Sequence, residues 1–105
     1  MFSRVTLLEI DTMRTDVAEA AARFEAEVMP QLRELEGFVG AVVLATPEGK
    51  GMVVTVWETE EAVAASAGLA ARQVDRFATL YAAPPGREYY EVLYADMPDI
   101  PVGVR

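Results

Sequence analysis

Two runs of this chain, Phe38 to Ala45 and Met52 to Glu58, are apolar at odd and even positions alike. In the first, Phe38, Gly40, Val42 and Leu44 alternate with Val39, Ala41, Val43 and Ala45. In the second, Met52, Val54 and Val56 alternate with Val53, Thr55 and Trp57. Side chains of a strand point by turns to the two sides of its sheet, so both sides of these strands must be covered. The connecting Thr46-Pro47-Glu48-Gly49-Lys50-Gly51 is turn chemistry and makes the pair a hairpin.

The flanking segments supply the cover. Phe2 to Ile10 alternates as a strand, with Phe2, Arg4, Thr6, Leu8 and Ile10 on one side and Ser3, Val5, Leu7 and Glu9 on the other. Asp16 followed by Glu19 has capping-box spacing, and Val17, Ala21, Phe24 and Val28 then recur at helical intervals. Pro30 interrupts or kinks that helix, Leu32 and Leu35 extend its stripe, and Gly37 ends it. Thr59 caps a second helix whose stripe is Val63, Ala67, Ala70, Val74, Phe77 and Tyr81, weakened near Gly68. Ala83-Pro84-Pro85-Gly86 stops it, and Glu88 to Ala95 reads as a fourth strand. The order β-α-β-β-α-β is the α+β, ferredoxin-like arrangement: an antiparallel sheet with two helices on one face. Residues 1–95 form that domain, and 96–105 read as an extended, Pro-punctuated tail.

Two helices cover one face of such a sheet. The apolar second face then calls for an identical partner, and a homodimer is the expected assembly. The excluded classes follow from composition. With 105 residues the chain makes one core, and with no cysteine and no histidine it has no disulfide, thiolate nucleophile, imidazole base or His/Cys metal site. A net charge of −8 repels phosphates, so nucleic acid is not an expected partner. No apolar run spans a membrane, and Met1 to Glu9 is too short an apolar stretch for a signal peptide; the expected location is the cytoplasm. The carboxylates Glu25, Glu27, Glu34 and Glu36 read as a solvated helix side, and no metal set is expected.

Leu35-Glu36-Gly37-Phe38-Val39-Gly40 and Val53-Val54-Thr55-Val56-Trp57-Glu58-Thr59-Glu60-Glu61-Ala62 resemble segments of the antibiotic biosynthesis monooxygenase-like superfamily. That resemblance implies a dimeric α+β barrel. The superfamily includes cofactor-free quinone-forming oxygenases and haem-degrading enzymes. The haem-degrading pattern implies a Trp at position 57, which is present, an iron-ligating His near Arg76, and an Asn in the first strand. The chain has no His and no Asn, and a guanidinium does not ligate iron.

The cofactor-free pattern implies an aromatic cleft for a phenolic or polyketide-like molecule, with Trp57 matching its aromatic. Periodicity adds Phe24, Phe77, Tyr81 and Thr6 as wall residues, with Arg4 or Arg72 to attract an anion. No cofactor is expected. Each residue also has a purely structural reading. Trp57, Phe24 and Phe77 suit a core, and the tyrosines of the fourth strand suit β-structure. Arg4 on a covered face needs either Glu9 or Glu91 across the sheet, or a ligand's negative charge. Three functions follow: a cofactor-free monooxygenase, a non-catalytic dimeric binder of a small apolar or aromatic ligand, and an isomerase or lyase. The last would need a carboxylate of raised pKa as its base.

Overall fold

A computed structural model describes residues 1–97. Its strands are β1 (Phe2–Ile10), β2 (Phe38–Ala45), β3 (Lys50–Trp57) and β4 (Tyr81–Glu91). Its helices are α1 (Val17–Arg23) and α2 (Met29–Arg33), joined by a π turn (Phe24–Val28), then α3 (Glu60–Ala65) and α4 (Ala67–Arg76). The expected tail falls almost wholly at 98–105, outside the described residues; Asp96 and Met97 have no regular structure. Among the described residues no helix is long and apolar enough to cross a membrane.

Both helical segments begin where their caps require. Asp16 Oδ1 accepts from the Glu19 amide at 2.7 Å, and Thr59 Oγ1 accepts from the Ala62 amide at 3.1 Å. The π turn lies just before Pro30. Proline has no N–H, and its ring crowds the carbonyl four residues back, that of Ala26. Widening the preceding turn by one residue moves that carbonyl aside and lets the helix run on instead of stopping. At its far end Gly37 takes φ +81°, and a Cβ there would sit 2.7 Å from Ala62 Cβ. This position therefore requires glycine twice, for its backbone and for the close approach of α3.

The second helix departs from the sequence reading. It divides at Ser66, where Ser66 Oγ donates back to Val63 O at 2.7 Å. It also ends at Arg76, so Tyr81 belongs to β4 and not to the helical stripe. A 3-10 turn (Ala78–Leu80) reverses the chain, held by the Asp11 amide donating to Leu80 O at 2.8 Å. β4 thus starts seven residues before the expected Glu88 and stops at Glu91. Pro84 and Pro85 are compatible with it because β4 is an edge strand, and its register with β1 shifts between Leu7 and Ile10.

The sheet order is β2-β3-β1-β4, antiparallel throughout, which is the ferredoxin-like topology. A bulge at Val39 changes one face assignment. Phe38 stands opposite Trp57, but Gly40 then stands opposite Val56, so Phe38 shares its face with Ala41 and Val43 instead of Val42 and Leu44. Between the helices and this face lies the core of Val28, Leu32, Trp57, Val63 and Leu69. The opposite face carries cross-strand rows Val42-Val54-Val5 and Leu44-Met52-Leu7, with Leu44 52% and Leu7 41% exposed.

Candidate functional site

β1 and β3 form the floor of a cavity of about 150 Å³, and α1, the π turn and α4 form its roof. Register places the floor residues side by side: Arg4 opposite Thr55, and Thr6 opposite Val53. All six residues singled out from the sequence, Trp57, Phe24, Phe77, Tyr81, Arg4 and Thr6, line this one cavity. Arg72 does not; it is exposed. Sequence reasoning missed Thr55, Ser66, Leu69 and Gln73, which also line it. Of these, Thr55 had a legible signal: alternation sets it on the same side of its strand as Val53 and Trp57.

Trp57 is 1% exposed, and its indole Nε1 donates to Thr55 Oγ1 at 3.0 Å. Phe38 meets it edge-on, with ring centroids 5.2 Å apart. It is therefore core and cavity wall at once. Phe24 and Phe77 are half-buried at the roof. Arg23 and Arg76 each place a guanidinium over the Phe77 ring, at 4.8 and 5.2 Å. Glu27 joins them, accepting from Arg23 at 3.0 Å and from Arg76 at 2.7 Å, and so clasps the π turn to α4. Arg76 is thereby held at the roof's outer side, half exposed.

Arg4 is 3% exposed, yet it is paired with neither Glu9 nor Glu91. Its Nη2 donates to Val63 O at 2.8 Å and its Nη1 to Ser66 O at 3.3 Å. These carbonyls lie at the C-terminal end of α3, the negative pole of a short helix, which explains how a guanidinium can be buried without a carboxylate. The Tyr89 ring packs on its other side, 5.3 Å from Arg4 Cζ. Desolvation pulls the Arg4 pKa below its ordinary value, aided by Arg87 and opposed by Tyr89. Arg4 Nε has no hydrogen-bond partner among the described residues. Burial likewise pushes the Tyr81 phenol above its ordinary value.

Among the described residues no Asp or Glu lines the cavity, so those walls carry neither a carboxylate base nor a carboxylate ligand set. Elsewhere among the described residues no group of three acidic side chains is placed to hold a metal. What the walls can do is enclose a flat apolar molecule and present to it a few fixed polar atoms.

No family model matches the chain. Two uncharacterized proteins of Mycobacterium tuberculosis, from strains CDC 1551 / Oshkosh and H37Rv, are each 32% identical over 101 residues, covering 93% of this chain. The chain spans 42% of the length of these relatives. Among solved structures, a protein of unknown function from Nitrosomonas europaea superposes with a TM-score of 0.73 at 24% identity, covering 93% of this chain and 94% of its own. A Streptomyces coelicolor monooxygenase in complex with the ligand Nanaomycin D gives 0.69 at 22% identity, over 93% and 92% of the two chains. A haem degrader of M. tuberculosis with two hemes bound gives 0.66 at 20% identity, over 91% and 99%. One architecture thus serves unlike chemistries. The chain has the fold of the antibiotic biosynthesis monooxygenase-like proteins.

Proposed function

We propose that this protein is a cytoplasmic homodimer whose cavity binds a small phenolic or polyketide-like molecule and oxygenates it without a cofactor. The observation that carries the reading is the cavity itself. Trp57, Phe24, Phe77 and Tyr81 enclose it, and Arg4 and Thr6 supply polar atoms on its floor. A fold neighbour that is a monooxygenase with a bound ligand supports the same reading. The haem-degrading alternative lacks support in the residues. The chain has no His, and Arg76, which stands near the place implied for one, is engaged with Glu27 and Phe77.

The chemistry would be the conversion of a phenol and dioxygen to a quinone and water. One oxygen atom forms the new carbonyl. The other leaves as water with the two hydrogens lost from the ring carbon and the hydroxyl. The protein's share is to exclude solvent and to stabilise the electron-rich phenolate with a buried donor.

One observation favours a second reading, a non-catalytic binder of a small aromatic ligand. Among the described residues neither a carboxylate nor an imidazole lines the cavity, so those walls carry no ordinary base for the phenol proton. The same lack removes support from an isomerase.

Trp57 is the only tryptophan, so its fluorescence reports on this cavity alone. Phenols should quench it saturably, and an oxygen electrode should record uptake in the presence of a chelator and absence of flavin. Quenching without uptake selects the binder. No quenching by any phenol removes both readings.

A further inference from the structure

Two buried polar atoms are without hydrogen-bond partners among the described residues, and both belong to side chains that line this cavity. One is the donor Arg4 Nε; the other is the acceptor Gln73 Oε1. A buried group left unpaired loses its hydration without compensation, which is why such groups are rare in native interiors. Here they are complementary in kind, and they are not paired with each other. Arg4 is fastened by its two terminal nitrogens to Val63 O and to Ser66 O, where α4 begins. Gln73 stands seven residues further along α4, about 10 Å of helix. The unmet donor therefore belongs to the floor and the unmet acceptor to the roof of the same apolar chamber.

Resting on the binding reading above, we propose that the cavity is built for a ligand polar at both ends. A carbonyl or oxyanion would accept from Arg4 Nε, and a hydroxyl or N–H at the far end would donate to Gln73 Oε1. Aromatic or apolar carbon between them would fill the space beside Trp57 and Leu69. This narrows the ligand from phenols in general to hydroxyaryl carbonyl compounds. It also assigns Arg4 and Gln73 as the residues that set specificity. A site whose polar groups are satisfied only by the right substituents rejects molecules lacking them far more strongly than an apolar wall does.

Four single-ring probes of similar size separate the terms: ethylbenzene, acetophenone, 4-ethylphenol and 4-hydroxyacetophenone. A cavity of about 150 Å³ suits one ring. Binding is followed by Trp57 quenching and calorimetry on the wild-type chain. We expect 4-hydroxyacetophenone to bind about tenfold more tightly than either singly substituted probe, and ethylbenzene most weakly. Arg4→Lys keeps a cation near Val63 O but places a methylene where Nε was; it should erase the advantage of the carbonyl and leave that of the hydroxyl. Gln73→Met, at a half-buried position of α4, should do the reverse. Should Arg4→Lys fail to fold, the wild-type series and Gln73→Met still decide. If all four probes bind within threefold of one another, the two-ended assignment is overturned while the apolar binding site stands. If none binds, both are overturned.

Discussion

Thr55 is the residue on which Trp57 depends. Its hydroxyl accepts the only hydrogen bond that the buried indole makes, and Thr55 is itself 7% exposed. Thr55→Val keeps the shape and leaves an N–H unpaired, so unfolding in urea should show a loss of about 1–3 kcal/mol with an unchanged m-value. Tyr81 gives a second test, on pH. Burial raises its folded-state pKa above the unfolded value of 10.0, so the neutral phenol is the form that the fold favours. Its contribution to stability is whole below pH 10.0 and is lost as pH rises through the folded pKa, because the unfolded chain releases the proton first. Thermal melts from pH 9 upward should fall less steeply for Tyr81→Phe than for the parent. At this scale the sequence was most informative where alternation settled the facing of a side chain. Arg4 and Thr6 were legible as neighbours on one face of β1. The partners of Arg4 were not, because backbone carbonyls at a helix end carry no residue-type signal.

Among the elements, β2 and β3 were readable nearly to the residue, since turn chemistry bounded them and both faces were apolar. The end of α4 was not. Phe77 and Tyr81 are four apart and mimic one more helical turn, although a 3-10 turn intervenes and Tyr81 opens a strand. The bulge at Val39 was equally hidden, because a strand with two apolar faces gives no contrast by which a one-residue slip can be seen. The first helix shows how one residue type reshapes an element. If the π turn exists to move the Ala26 carbonyl away from Pro30, the two features form a single energetic unit. Deleting Ala26 would return the segment to α geometry and bring a carbonyl against the proline ring, at a cost of about 3 kcal/mol or more. Deleting Ala26 together with Pro30→Ala should restore most of the loss in a denaturant titration. Independent, additive costs would show the turn to have another origin.

For the molecule as a whole, the decisive surface is the sheet face opposite the helices. Its rows Val42-Val54-Val5 and Leu44-Met52-Leu7 form a contiguous apolar patch, and the helices lie on the other side. A second copy of the chain is the expected cover, burying about 2,000 Å² or more in total. Sedimentation should find a dimer at low micromolar concentration, and Val54→Lys in the middle of the patch should yield monomers or insoluble protein. A stable wild-type monomer would refute the pairing. The geometry of the strands adds something more. Arg4 and Val5 are adjacent, as are Val54 and Thr55, so one peptide bond separates a side chain on the cavity floor from one on the partner face. In a dimer of this kind the same two strands would answer to two binding equilibria. Thermodynamics then makes the effects reciprocal: whatever factor pairing adds to affinity for the small molecule, the small molecule adds to affinity between subunits. Dilution would become a means of releasing cargo, and occupancy of one cavity could be read in the cavity across the two-fold axis.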